Sequence, residues 1–302
     1  MKRSICGALS ILGLLCASCS QGEAISETSA LAASPLASTV KTLAYVEVNS
    51  NDFDNVGCYV YGSPAKEFFN MASIFAANIN YDDVQKKPVL YFNPNVDHVL
   101  NGTNYVKDLQ SKGIKVFLTV LGNHENAGWA CFTDENTATD FASQLANAVS
   151  TYGLDGIDID DEYSACTTND TSLIVVASKM RAAMPNKIIS KALFSDQSYF
   201  TATWNGRRLA DYLDYGWEMT YGWTDYASRL SPYLSAGMTK AKLGIGASTD
   251  GSDGASAATY VKNNGIGTLM TFNVTNGSTS YLTGQSNVLF SQSTKATSNC
   301  LK

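Results

Sequence analysis

The sequence predicts an α/β fold, a single (β/α)8 TIM barrel with irregular early helices. Three observations predict it. Short apolar runs alternate with amphipathic stretches from about residue 42 to the end, and that alternation calls for a parallel sheet with right-handed crossovers. About eight repeats in roughly 260 residues is the size of such a barrel. The Gly-rich phosphate turn that would follow the first strand of an open doubly wound sheet, the alternative, is missing.

The strands are expected at Thr42–Val48, Ala72–Asn80, Lys115–Leu121, Leu154–Glu162, Ile188–Phe194, Leu213–Tyr221, Lys242–Ala247 and Gly267–Val274. Each is rich in Val, Ile, Leu, Phe or Tyr and is bounded by Gly, Asn, Asp or Ser. Helices are read where apolar residues recur at helical spacing. Thr137–Thr151 puts Phe141, Leu145, Ala148 and Val149 on one face, and Ser172–Met184 does so with Val175, Val176, Met180 and Ala183. Gly153, after the first of these, and Gly113, after an earlier helical stretch, stand where a helix stop is expected. The segment Ser50–Asn70 has no such period and is expected to be irregular.

Residues 1–18 read as a secretory signal. Lys2 and Arg3 precede the apolar stretch Ile5–Leu15, which is too short to span a bilayer. Small residues then lead to Cys19, resembling a bacterial lipobox with Cys19 as the lipidated residue; an ordinary cleaved signal with release is the alternative. Residues 19–40 hold few large apolar groups and are expected to be a flexible tether, leaving 41–302 for the barrel. This chain is thus expected to be an exported cell-envelope lipoprotein, monomeric, touching membrane through its lipid alone. Formal net charge is −6 with no basic run, so no nucleic-acid partner is expected. With two histidines and no metal-ligand cysteine spacing, neither metal nor other cofactor is expected. A disulfide between Cys131 and Cys166 is an open option in an exported protein.

The most informative segment is Gly153-Leu-Asp-Gly-Ile-Asp-Ile-Asp-Asp-Glu-Tyr163. On a strand, alternate residues share a face, so Asp158, Asp160 and Glu162 should point together, climbing toward the C-terminal rim where barrel enzymes do chemistry. Acids so close in a dry interior cannot all ionise cheaply, and at least one pKa should rise. A protonated Glu near neutral pH can serve as a general acid. Clustered Asp also suits calcium, but calcium loops need Gly-broken turns, whereas these acids alternate with Ile.

Asp155-Gly-Ile-Asp158-Ile-Asp160-Asp161-Glu162 resembles the DGxDxDxE signature of family 18 glycoside hydrolases. Asp160-Asp161-Glu162-Tyr163-Ser164, Phe75-Ala-Ala-Asn78-Ile-Asn80-Tyr-Asp82, Leu121-Gly-Asn123-His124 and Gly113-Ile-Lys-Val116 resemble the endoglycosidase H/F1 group within it. The resemblance implies an endo-β-N-acetylglucosaminidase that retains configuration through a substrate-assisted oxazolinium path, outside the two-carboxylate scheme. By the same resemblance Glu162 is acid then base, Asp160 orients the substrate acetamide, Asp158 shares a proton with Asp160, and Tyr221 binds the acetamide oxygen. The implied substrate is the core of N-linked glycans on glycoproteins. A chitinase of the same family and a non-catalytic glycan-binding protein are the alternatives.

Asp155, Glu47, Asn78, Asn80, Asn123, His124, Trp217 and Trp223 are assigned to substrate binding. The Asn and His residues end predicted strands, where helix capping and turns compete for them. Trp217 and Trp223, with Trp129, lie near predicted strand tops as platforms for sugar rings. Glu218 and Met219 depart from the polar pattern expected beside Tyr221.

Overall fold

The computed structural model describes residues 40–302. The signal, Cys19 and the tether up to residue 39 lie outside them. Among the described residues twelve strands are formed: β1 (Lys41–Glu47), β2 (Tyr59–Tyr61), β3 (Lys66–Glu67), β4 (Met71–Asp82), β5 (Lys87–Tyr91), β6 (Lys115–Gly122), β7 (Gly156–Asp160), β8 (Ile188–Leu193), β9 (Tyr215–Glu218), β10 (Leu243–Ser248), β11 (Thr268–Phe272) and β12 (Thr294–Ala296). Eight of them close a parallel barrel in the order β1-β4-β6-β7-β8-β9-β10-β11, with β11 returning to β1. The closing register sets Lys41 beside Thr268 and Ala44 beside Thr271. All eight predicted runs overlap these strands.

Helices α1 (Pro94–Asp97), α2 (Tyr105–Ser111), α3 (Glu135–Tyr152), α4 (Ser172–Ala183), α5 (Gln197–Thr201), α6 (Tyr226–Ser235), α7 (Gly254–Asn264) and α8 (Thr279–Phe290) surround the barrel. The Asp134 side chain accepts from the N–H groups of Asn136 and Thr137 to start α3, and Gly153, at φ 67°, ends it. The face predicted for α3, including Phe141, Leu145 and Val149, is buried against the sheet. Each such side chain contributes about 1.5–3 kcal/mol on leaving water.

The first crossover has no α-helix. Phe53–Cys58 forms a 3₁₀ turn, and β2, β3 and β12 make a small antiparallel sheet. Phe53, Val56, Phe68 and Phe69 bury there in place of a helix stripe. The Cys58–Cys300 disulfide ties this patch to the C-terminal segment across 242 residues, a loop long enough for an effect of about 5–6 kcal/mol if the constraint acts through chain entropy. Strand β5 has no counterpart in the sequence expectation. It pairs antiparallel to the end of β4, with Tyr81 beside Pro88, and a proline is tolerated at such an edge.

Alternation along the strands divides the apolar residues into two cores. A large one lies between sheet and helices. A smaller one fills the barrel interior with Leu43, Tyr45, Met71, Phe117, Ala192, Trp217 and Met270. The polar residues Ser73, Thr119, Asp158 and Ser190 are buried too, and their bonds to one another inside the barrel position the site.

Candidate active site

Strand β7 carries the acids, but its two ends do different work. At the entry, Asp155 accepts hydrogen bonds from the Val116 N–H (2.9 Å) and Gln110 Nε2 (2.8 Å) and pairs with Lys115 at 3.1 Å. Burial pushes its pKa up, yet those bonds outweigh it and hold the carboxyl below its usual range. This is the N-terminal end of the barrel, away from the rim. Asp155 therefore clasps β7 to β6 and α2, which corrects its assignment to substrate binding.

Asp158 is fully buried in mid-barrel. Its carboxylate accepts from Ser190 Oγ (2.6 Å), Thr119 Oγ1 (3.0 Å), Trp217 Nε1 (3.0 Å) and the Tyr45 hydroxyl. Burial raises its pKa, and the four donors oppose that rise. They come from β8, β6, β9 and β1, so Asp158 is the hub that fixes four strands about the site. Trp217 is wholly buried and stacked on Tyr215 with centroids 5.5 Å apart. It holds Asp158 rather than offering a face to a sugar, which corrects its substrate-binding assignment. Trp129, also fully buried, donates to the Val120 carbonyl at 2.7 Å and packs on Phe141.

One step higher, Asp160 opens on a cavity of about 260 Å³ lined by Tyr45, Phe75, Glu162, Met219, Tyr221 and Phe272, among others. Asp160 Oδ1 is buried without a partner among the described residues. Burial first, then the neighbouring Glu162 and Asp158, push its pKa well above the carboxylate range. The two oxygens of Asp158 are occupied by the donors above, so the bond to Asp160 implied by the family resemblance is not formed here. Tyr221 stacks on Phe272 (5.6 Å, 22°), and burial followed by the charges of Asp160 and Glu162 keeps its phenol protonated, a donor.

Glu162 lies beyond the end of β7, not on the strand as expected. It reaches the cavity because the loop after β7 is laced to the loop after β6. The His124 N–H donates to the Tyr163 carbonyl (2.6 Å) and the Ala165 N–H to the Glu125 carbonyl (2.9 Å), and Cys131 is joined to Cys166 by a disulfide. Gly122 is required at the crossing, since a Cβ there would lie 2.2 Å from the Glu162 carbonyl oxygen. Burial raises the Glu162 pKa, Lys191 pulls it back, and Asp161 pushes it up.

The remaining candidates stand around the rim, outside the cavity lining. Glu47 ends β1 beside Asn273, Asn78 sits near the Gly122 carbonyl, and Asn123 donates to Asn80 at 2.9 Å. His124 is exposed, with its ring tilted against Tyr163. Trp223 is 67% exposed just past β9. Glu218 turns outward and pairs with Arg229, while Met219 turns into the cavity. Alternation explains that departure from a polar pattern.

Sequence reading missed Tyr45 and Lys191. Tyr45 shares the inward parity of Glu47 and could have been found from it. Lys191 could not, because a lone Lys inside an apolar strand carries no motif. A larger cavity of about 460 Å³ lies at the opposite end, lined by Lys41, Lys115 and Tyr215. None of the β7 acids reaches it, and barrel chemistry belongs to the other rim.

The arrangement offers one half-buried protonatable carboxyl, a buried second carboxyl with an unused oxygen, and a phenol donor around one apolar-walled cavity. That set suits proton transfer to a leaving oxygen next to a group that needs a hydrogen-bond acceptor and a donor.

Comparison with known proteins gives the following. The signature of Glycosyl hydrolases family 18 matches residues 41–253. The chain is 39% identical over 272 residues to an endo-beta-N-acetylglucosaminidase of Flavobacterium sp. (strain SK1022), covering 86% of this chain and 83% of that one. It is 36% identical to endo-beta-N-acetylglucosaminidase F1 of Elizabethkingia meningoseptica, covering 66% of this chain and 61% of that one. Among solved structures it resembles EndoBT-3987 of Bacteroides thetaiotamicron with its Man5GlcNAc product, at a TM-score of 0.73 and 27% identity. That match covers 86% of this chain and 62% of the other. The same enzyme has been seen with Man9GlcNAc2Asn.

Proposed function

This chain belongs to family 18 of the glycosyl hydrolases, and from that premise we propose that it is an endo-β-N-acetylglucosaminidase cutting the GlcNAc-β1,4-GlcNAc bond in the core of N-linked glycans. The observation that carries this reading is Glu162 poised at one cavity with Asp160 and Tyr221. Its raised pKa keeps a proton available for the glycosidic oxygen. As that bond breaks, the carbonyl oxygen of the substrate's own 2-acetamido group attacks the anomeric carbon and forms an oxazolinium ion. The acetamide N–H meets the unpartnered Oδ1 of Asp160 and the Tyr221 hydroxyl meets the acetamide oxygen. An N–H donor favours the ionised form of Asp160 at the moment positive charge develops beside it. Glu162, now a carboxylate, then takes a proton from the incoming water, which attacks the anomeric carbon from the side the leaving group left. Two inversions give net retention. The apolar wall of Phe75, Met219 and Phe272 limits premature hydrolysis.

Similarity to a protein seen with Man9GlcNAc2Asn supports a high-mannose preference, with Trp223, Asn80, Asn123 and His124 at the rim as glycan contacts. Incubating the enzyme with a denatured high-mannose glycoprotein and weighing both products tests the reading. One N-acetylglucosamine is expected to remain at each asparagine. Cleavage of chito-oligosaccharides alone would make it a chitinase, and cleavage of neither would make it a binding protein.

We further propose that Cys19 carries a lipid that anchors the enzyme to the bacterial envelope. Metabolic labelling with a tagged fatty acid should mark the native protein and not a Cys19→Ser variant. Recovery of unlabelled enzyme in the medium would refute the anchor.

A further inference from the structure

Alternation on β7 sends Asp158 and Asp160 inward, and residue 161 leaves the strand facing the helices. That outer face is normally apolar, yet Lys191 stands on it. Its β8 position pairs with Ile159, so it shares the outward parity of Ile159 and Asp161. Lys191 is almost wholly buried. Its ammonium lies 2.6 Å from Asp196, whose other oxygen accepts from the Tyr233 hydroxyl of α6 at 2.6 Å. A buried ion pair commonly adds little stability over an apolar pair of similar volume. A barrel strand that keeps one directly behind its catalytic loop has it for another purpose.

The charges around that loop are unevenly placed. Asp158, Asp160 and Asp161 come from β7 and its end, Asp196 from the loop after β8. The phenols of Tyr45, Tyr199, Tyr221 and Tyr233 come from β1, α5, the loop after β9 and α6. The Lys191 charge draws down the pKa of Asp160, Asp161 and Glu162 alike, against the rise that burial gives each. We propose that Lys191, locked against Asp196 behind the strand, is a positioning residue for the reaction: its charge holds Asp161, and with it the turn that delivers Glu162. The inference rests on Glu162 being the acid.

The sign of its effect follows. Lys191 draws the Glu162 pKa down, against burial and Asp161. Glu162 must be protonated to act, so activity is lost as pH rises through that pKa. Without the cation the loss comes at higher pH.

The test is kcat and KM against pH on a labelled high-mannose asparagine glycopeptide. The variants are Lys191→Met, Lys191→Arg, and Lys191→Met combined with Asp196→Asn, which spares the fold an unpaired buried carboxylate. In the folded double variant the upper limb should move up by about one pH unit, with kcat at the optimum down about tenfold and KM within about twofold. Arg should bring the limb back, and Asp161→Asn should move it down. A folded double variant with the wild-type limb would overturn the proposal, as would a uniform fall in kcat that Arg does not restore. A wild type that turns over nothing would instead strike the functional reading beneath it.

Discussion

Replacing Glu162 by Gln should lower kcat on a high-mannose glycopeptide by about a thousandfold or more, with KM little changed. Gln has the same shape and can sit in the same turn, laced by the His124 and Ala165 bonds. What it lacks is a transferable proton. General acid catalysis alone is worth about 10²- to 10⁴-fold, and Glu162 is used twice, as acid and then as base. Wild-type kcat should fall at high pH as Glu162 loses its proton, and the residual activity of Glu162→Gln should show no such limb. Single-turnover kinetics on the purified variant measures both. A residual rate within tenfold of wild type would reassign the acid.

Asp160→Asn should cost about 10²- to 10³-fold in kcat, the usual effect of removing one preorganised electrostatic contact. Asn cannot offset positive charge on the oxazolinium. The same change should make the protein more stable at neutral pH. Burial, Glu162 and Asp158 hold the Asp160 pKa well above its unfolded value. A group raised in this way favours folding below its unfolded pKa, and that advantage is lost as pH rises through the folded pKa. At neutral pH the wild type therefore carries a penalty that Asn removes. Urea midpoints should differ most near neutrality and converge in acid. A variant less stable than wild type at pH 7 would show that Asp160 is paired in a way the geometry does not indicate.

The barrel was legible because its strands are apolar on both faces, as parallel strands buried on two sides must be. Short runs such as Ile188–Leu193 and Thr268–Phe272 are hard to mistake when bounded by polar turns. The acids of β7 were legible for the same reason, since a charge amid Ile is conspicuous. What escaped was whatever depends on which end of a strand faces the rim. Asp155 and Glu162 stand in one continuous motif, yet one clasps the base to Lys115 and the other serves the cavity. Trp217 was misread because its parity puts it inside, fully buried and outside the cavity lining, where its N–H is needed by Asp158. The first crossover stayed illegible because its apolar residues, Phe53, Val56, Phe68 and Phe69, fill a helix's place without a helix's period. Strand β5 depends on a pairing with β4 that carries no pattern of its own.

The closure of the barrel has a consequence for how the chain is made. Strand β1 is flanked by β4 and by β11, whose register partner for Lys41 is Thr268, and Cys58 finds its thiol partner only at Cys300. A chain emerging N-terminus first can pair β1 with β4 early, but one edge of β1 stays bare until nearly all later strands have emerged. Contacts so distant in sequence form slowly, and an open edge is a template for wrong partners. A chain ending some thirty residues short would thus lose the Cys58–Cys300 disulfide and the packing of α8 on α7 and β12, at the place farthest in sequence from the acids it exists to hold.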